Sequence, residues 1–339
     1  MRILKTDIAQ RRWKIFRSRP TAFWSGIILG IACIFSFTAE LWSNNKPIFM
    51  SYNGSWYFPV LKDYHPSIFG IESSLETDYK ELDIDDKGWA LWPVNRWNPY
   101  ERNKDVEIYP SKPTTSNLMG VDTAGRDVFA RILYGLRYSI TFAMLVWVAS
   151  LALGIVAGGM MGYAGSWIDL IGQRIVEIYS TIPFLFVVLI LVSIFGASLK
   201  LLVIIVALFQ WIFFSDYVRA EFLKLRRQNF VEVGRALGAS HSRLIFRHIL
   251  PNSLIPVITF SPFIIASNIN SLAALDYLGF GLPPPTPSWG ELLQQGKENF
   301  LNAWWLAVYP SIALFFSLVL MSLVGDGVRV AFDPKSTAK

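Results

Sequence analysis

The stretch Asn229-Phe-Val-Glu-Val-Gly-Arg-Ala-Leu-Gly-Ala-Ser-His-Ser-Arg-Leu-Ile-Phe-Arg-His-Ile-Leu-Pro-Asn252 lies between two strongly apolar segments. Phe230, Val233, Ala236 and Leu237 recur at helical spacing, which predicts a short amphipathic helix over residues 229–237. Gly238 falls where a helix needs a left-handed C-terminal residue, and Ser240 can cap the next helix. That second helix presents Leu244, Ile245, His248 and Ile249 on one face, and Pro251 opens the apolar segment that follows. Two short helices about a sharp glycine turn make a rigid knob at a membrane surface. A basic segment lying on anionic lipid is the alternative, but it requires no fixed Glu232, Gly238 and His248-x-Leu250-Pro251 spacing.

Outward from this knob the chain is apolar in long runs. Hydrophobic residues make up 53% of the 339, and a bilayer core calls for windows of about 20 such residues. Six windows qualify: 22–42, 138–162, 176–196, 199–218, 253–275 and 304–324. The basic pI near 9.3 comes from loops that flank them, so membrane topology accounts for it and nucleic acid does not. Residues 1–20 carry Arg2, Lys5, Arg11, Arg12, Lys14, Arg17 and Arg19 against Asp7 alone. The 219–248 loop has seven basic residues against Glu221 and Glu232, whereas residues 43–117 have eight basic and eleven acidic ones. The positive-inside rule then places the first two regions in the cytosol and the third outside. Six crossings return the C-terminus, with Arg329, Lys335 and Lys339, to the cytosol. The first window follows a long basic region and exceeds a cleavable signal's apolar core, so an uncleaved anchor is expected. Cys33 is the sole cysteine, which leaves no intrachain disulfide.

Residues 43–117 form the polar part of the chain, with Trp56, Tyr57, Phe58, Trp89, Trp92 and Trp97 as candidates for a small core. A surface loop and a cap that touches a delivery protein or substrate are both compatible with this composition. After it comes Leu118-Met-Gly-Val-Asp-Thr-Ala-Gly-Arg-Asp-Val-Phe-Ala-Arg-Ile-Leu-Tyr-Gly-Leu-Arg-Tyr-Ser139. Such charges are costly in hydrocarbon, so a salt-bridged collar at the outer surface is expected, entering the second span near Ser139. Within it Asp122 and Asp127 can pair with Arg126, Arg131 and Arg137, while Gly125 and Gly135 permit turns or close packing. Gly154, Gly158 and Gly162 stand four apart, the spacing that lets a neighbouring helix approach closely. The outer loop after span five carries Gly279, Gly281 and Pro283, followed by Trp289 and Gly290. Near the end, Gly325-Asp326-Gly327-Val-Arg329 precedes Asp333-Pro334, and a structural ion pair between Asp326 and Arg329 is expected.

These motifs carry a resemblance. Glu232, Gly238 and His248-x-Leu250-Pro251 resemble the "EAA" loop by which permeases of ABC importers dock onto a separate ATPase. Val233 and Gly234 replace its alanines, and a glycine inside a helix costs about 1 kcal/mol. Residues 118–139 are similar to the Gly-Thr-Asp-x-x-Gly-Arg-Asp-x-x-Ser-Arg segment of dipeptide and oligopeptide permeases, with Val121 for Thr and Ala130 for Ser. The 278–290 loop matches a region that the family uses close to the translocation path. Asn45 to Pro59 looks like the enlarged outer loop of the Yej subfamily, whose permeases import peptides and the peptide-nucleotide microcin C.

The resemblance implies an all-α polytopic membrane protein with six transmembrane helices in the type I ABC importer permease arrangement and an enlarged periplasmic loop. Its parts would be a cytosolic basic tail (1–20), a first span (21–42), the periplasmic loop (43–117), the transmembrane domain with its coupling loop at 219–251 (118–334), and a cytosolic tail (335–339). The implied site is a set of coupling residues (Glu232, Val233, Gly234, Gly238, His248, Leu250, Pro251) and a set of outer ones (Asp122, Gly125, Arg126, Asp127, Arg131, Gly135, Arg137). The implied partners are a second homologous permease in a heterodimer, two ATP-binding subunits, a periplasmic substrate-binding protein and the lipid bilayer, in a bacterial inner membrane.

Several classes are excluded. No Gly-x-x-x-x-Gly-Lys-Ser/Thr loop is present, so ATP hydrolysis is expected on other subunits. His65, His241 and His248 are scattered, no His-Glu-x-x-His or Gly-x-Ser-x-Gly occurs, and no catalytic residue, metal site or cofactor is expected. A stand-alone secondary transporter would need paired ionisable residues inside its spans; here Glu177 and Asp216 lie only near span ends. An ABC permease for another solute, such as a nickel chelate, is the nearer alternative.

Overall fold

The computed structural model describes residues 7–71 and 77–333. Arg2, Lys5, Pro334, Lys335 and Lys339 of the readings above lie outside the described residues. A basic helix α1 (Asp7–Arg17) leads directly into α2 (Pro20–Phe37), whose Pro20 occupies the first turn, where no N–H is needed. Segment 43–117 holds strands β1 (Phe49–Tyr52) and β2 (Ser55–Tyr57), the single turn α3 (Ile84–Lys87), and β3 (Gly88–Leu91). Then come α4 (Val128–Ala164), α5 (Ser166–Ser180), α6 (Phe184–Phe195), α7 (Leu199–Leu225), α8 (Asn229–Ala236), α9 (His241–Arg243), α10 (Leu250–Tyr277), α11 (Trp289–Glu298) and α12 (Trp305–Phe332).

Among the described residues, five helical runs are long and apolar enough to cross a membrane: α2, α4, α7, the run containing α10, and α12. The expected span over 176–196 falls on a broken pair, because α5 and α6 are bent 72° apart. Pro183 explains the break: it supplies no N–H and disfavours helical geometry at Ile182. α5 also carries Asp169, Arg174 and Glu177, so most of it is unsuited to hydrocarbon.

The bundle centres on α4 against α7. A Cβ at Gly154, Gly158 or Gly162 would overlap Phe214, Ser215 or Phe222, so the glycine ladder sets how near the two backbones come. Phe142, Val146, Leu202, Ile205, Leu272 and Leu275 fill the outer half of the interface, and Phe214, Val218, Phe222 and Val257 the inner half. Between them Gln210 Nε2 donates to Asn268 Oδ1 at 2.7 Å and Asn268 Nδ2 to the Ala143 carbonyl at 3.2 Å, tying α7, α10 and α4 together.

Segment 43–117 contains a three-stranded antiparallel sheet in the order β2-β1-β3, which the all-helical expectation omitted. Met50 faces both Tyr57 and Ala90 across the ladders, and with Tyr52, Phe69, Tyr79 and Ile84 it forms the cap's core. The aromatic list divides because strand side chains alternate between faces. Tyr57 and Trp92 pack on this core, whereas Trp56, Phe58 and Trp89 are exposed beside Phe49 on the other face. Trp97 is buried elsewhere, its indole donating to the Ser116 carbonyl at 2.9 Å.

Candidate functional site

The two sequence motifs occupy opposite ends of α4. At its N-terminus Asp127 caps the helix by accepting from Ala130 N at 2.8 Å. α4 then continues for 37 residues, about 55 Å at 1.5 Å per residue. At its far end Tyr163 meets the 229–251 segment, its hydroxyl 2.5 Å from His241 Nδ1, and Arg226 Nη1 donates to the Tyr163 carbonyl at 3.1 Å.

The outer charges form a buried cluster, where the sequence reading placed a surface collar. Asp122, Asp127 and Arg131 are wholly inaccessible and Arg126 nearly so. Asp122 Oδ1 accepts from the backbone N–H of Ala124 (2.9 Å) and Arg126 (2.8 Å), closing a turn that Gly125, at φ +87°, completes. Its other oxygen takes Arg126 Nε at 2.8 Å, with Arg131 Nε 3.5 Å away. Glu291 of α11 supplies the second negative charge, accepting from Arg126 Nη2 at 2.7 Å and from Arg131 Nη2. Arg131 also donates to the carbonyls of Pro99, Pro285 and Thr286 at 3.1–3.2 Å. Two guanidiniums and two carboxylates thus balance, which the low dielectric of a buried site requires. Desolvation pulls the Arg126 guanidinium down, but Asp122 and Glu291 outweigh it and hold its pKa above the ordinary value.

Two expected pairings are replaced. Among the described residues Asp127 meets no arginine; its oxygens accept from Asn95 Nδ2 (2.9 Å) and Asn117 Nδ2 (2.8 Å) besides the helix cap. Burial pushes its carboxyl above the ordinary range against these donors. Arg137 lies one and a half turns beyond Arg131 and binds Glu40 in a fork at 2.7 and 2.8 Å. Glu291 and Glu40 went unremarked in the sequence. The signal for Glu291 was three arginines, Arg126, Arg131 and Arg137, against the two aspartates Asp122 and Asp127, together with its position beside Trp289-Gly290.

The outer loop residues act in packing. Trp289 is buried, donates from Nε1 to the Ile132 carbonyl at 3.0 Å, and covers Gly135, where a Cβ would lie 2.8 Å from the indole. A Cβ at Gly290 would strike the Ala273 carbonyl, and one at Gly281 the Asp276 carboxylate, which accepts from Leu282 N at 2.6 Å. Gly279 ends α10 at φ +81°. Pro283 is exposed.

At the other end, α8 ends as expected: Gly238 has φ +80°, and Ala239 N returns to the Gly234 carbonyl at 3.0 Å. Ser240 caps the next turn by accepting from Arg243 N at 3.4 Å. The second helix is not a separate short one. It widens into a π turn over Leu244–Ile249 and continues without a break through Leu250 and Pro251 into α10, so the knob is half span. The glycine at 234 has a packing reason, since a Cβ there would sit 3.0 Å from Leu244 Cδ2. Val231, fully buried, anchors α8 against Leu244 and Ile249. The predicted apolar face turns the other way: Phe230 is 44% exposed, Val233 56% and Leu237 83%, with Glu232 exposed among them. His248 is partly covered, and its carbonyl accepts from Asn252 Nδ2 at 2.7 Å.

The closing motif differs from expectation. Asp326 and Arg329 are both exposed and form no ion pair among the described residues. Its glycines do the packing, Gly325 against the Phe263 ring and Gly327 against Ala22 and Phe16.

A family model described as "Binding-protein-dependent transport system inner membrane component" matches residues 154–337. The inner membrane ABC transporter permease protein YejE of Escherichia coli (strain K12) is 40% identical over 334 residues, spanning 97% of this chain and 98% of the relative. The peptidoglycan transport system permease protein YejE of Agrobacterium fabrum is 38% identical, spanning 97% and 93%. The glutathione transport system permease protein GsiD of Pectobacterium atrosepticum is 33% identical over 73% of this chain and 81% of its own length. Among solved structures, the MetNI methionine ABC transporter in inward-facing conformations contains a chain that aligns with a TM-score of 0.50 at 16% identity. It covers 60% of this chain and 96% of that one, a likeness of fold.

Proposed function

The chain belongs to the family of binding-protein-dependent transport system inner membrane components, as a permease of the peptide-type ABC importers, and from that premise we propose that it passes peptides or peptide conjugates into the cytoplasm, driven by separate ATPase subunits. In this reading a heterodimer with a second permease binds two ATPases, a periplasmic binding protein delivers substrate, and both termini lie in the cytosol. Relatives named for peptidoglycan, peptide and glutathione transport share one chemistry, the peptide bond, and this supports the substrate class.

The observation that carries the coupling role is the outward turn of Phe230, Val233 and Leu237 on a helix pinned from behind by Val231. An apolar stripe exposed on a firmly mounted helix suits a protein partner that buries it. ATP-driven closure can move the pore only if such contacts differ between its two states.

The test uses the complete operon in a strain deficient in peptide uptake, fed peptides as the only source of a required amino acid, with microcin C sensitivity as a separate arm. Growth is expected with the wild-type permease. Leu237→Arg is expected to abolish growth and to lose the ATPases on purification while still inserting in the membrane. Retained ATPase binding by Leu237→Arg would remove the coupling role of this face. Absence of uptake in both arms by an intact complex would remove the substrate class.

A further inference from the structure

Helix α1 has no task in the transport reading, yet its surface is strongly patterned. Ile8, Ala9, Arg12, Trp13, Ile15 and Phe16 fall along one side at helical spacing, and Arg11, Lys14 and Arg17 along the other. None of its residues is buried. α12 covers only part of the apolar side. Phe16 rests against Gly327, and the Arg12 guanidinium lies 4.2 Å from the centre of the Phe332 ring. Trp13 stacks on Phe16 with ring centres 5.8 Å apart, but it remains 46% exposed and Ile8 59%.

Between the two helices runs an open groove of about 330 Å³, lined by Arg12, Trp13 and Phe16 on one wall and Val328, Ala331 and Phe332 on the other. Only Ser18 and Arg19 separate α1 from the membrane span α2, so the groove lies at the membrane boundary. Residues 7–19 carry Arg11, Arg12, Lys14, Arg17 and Arg19 against Asp7. An apolar trough with cations at its rim, continuous with a span, complements a lipid whose tail is apolar and whose head is anionic.

We propose that the α1–α12 groove seats an anionic phospholipid. An acyl chain lies against Trp13, Phe16, Val328 and Ala331, the phosphate sits by Arg12, and Arg11, Lys14 and Arg17 hold neighbouring headgroups. This site goes beyond peptide transport and needs only the membrane placement of α2.

The assembled transporter is placed in nanodiscs of phosphatidylcholine alone or mixed with phosphatidylglycerol, and amide hydrogen exchange is followed over residues 7–19. Exchange is expected to slow in the anionic discs. R11Q/R12Q/K14Q/R17Q should erase that difference, each lost cation weakening the preference roughly five-fold. Trp13→Ala should speed exchange in both compositions, because the apolar contact is common to them. Unchanged exchange over residues 20–37 identifies variants that retain their fold. Equal exchange of the wild type in both lipids, or a lipid difference that survives the quadruple substitution, would overturn the proposal. ATPase co-purification and peptide uptake are read on the same preparations, so failure of the lipid site stays distinct from failure of the transport reading.

Discussion

Glu291 and Glu40 each meet an arginine of α4, but their surroundings give them different weight. Glu291 bridges Arg126 and Arg131 inside the cluster, 15% exposed at its side chain, where removing one partner strands a buried charge. Glu291→Gln should destabilise the permease by about 3–5 kcal/mol, seen as a large drop in melting temperature of the purified complex. Glu40 is 39% exposed at its side chain, and Glu40→Gln should cost about 1 kcal/mol or less. The Arg137 hydrogen bond holds the Glu40 carboxyl below its ordinary value of 4.5. Since the folded value is the lower one, this contribution is complete above the ordinary value and is lost as pH falls through the folded one. The gap in melting temperature between wild type and Glu40→Gln should therefore persist at neutral pH and close on acidification. The arginines were legible from their motif. Glu291 was not, because 160 residues separate it from Arg131 and only the docking of α11 brings them together.

Among the helices, glycine means different things at different faces. Gly158 is pressed on the Ser215 backbone, whereas a Cβ at Gly30 of α2 would meet nothing within 4 Å. Gly158→Leu should force α4 from α7, costing about 3 kcal/mol or more and lowering the yield of assembled permease. Gly30→Leu should leave yield and melting temperature unchanged or slightly raised, since leucine is the better helix former. Loss of assembly with Gly30→Leu, or a normal melt for Gly158→Leu, would contradict this division. The four-residue spacing already pointed to packing, but it could not name α7 as the neighbour. The break at Pro183 was likewise written in the residue type, and hydropathy averaging over 176–196 concealed it.

For the whole molecule, the cap formed by residues 43–117 is tied into the bundle. Asn95 bonds Asp127 and the Pro99 carbonyl bonds Arg131, while Tyr134 donates to the Ser43 carbonyl at 3.1 Å. Deleting residues 60–110 should therefore lower the melting temperature of the membrane domain as well as peptide uptake. A deletion that reduces uptake and leaves the melt intact would confine the cap to substrate or binding-protein contact. The division of its strand side chains, Met50 and Tyr52 inward and Trp56 and Trp89 outward, depended on strand register, which residue counts alone did not supply.

The sequence by itself determined the class, the apolar runs, the glycine turn at Gly238 and the family. These depend on local properties: hydropathy over about 20 residues, a backbone that needs positive φ, and motif spacing along the chain. Tertiary structure alone decided which carboxylate neutralises Arg131, that the collar is buried, and that the helix after Gly238 runs on into α10. It also decided that Phe230, Val233 and Leu237 face outward while Val231 faces the core. Amphipathic spacing fixes that a helix has an apolar side but not what covers it, because the covering groups come from elements far away in the chain.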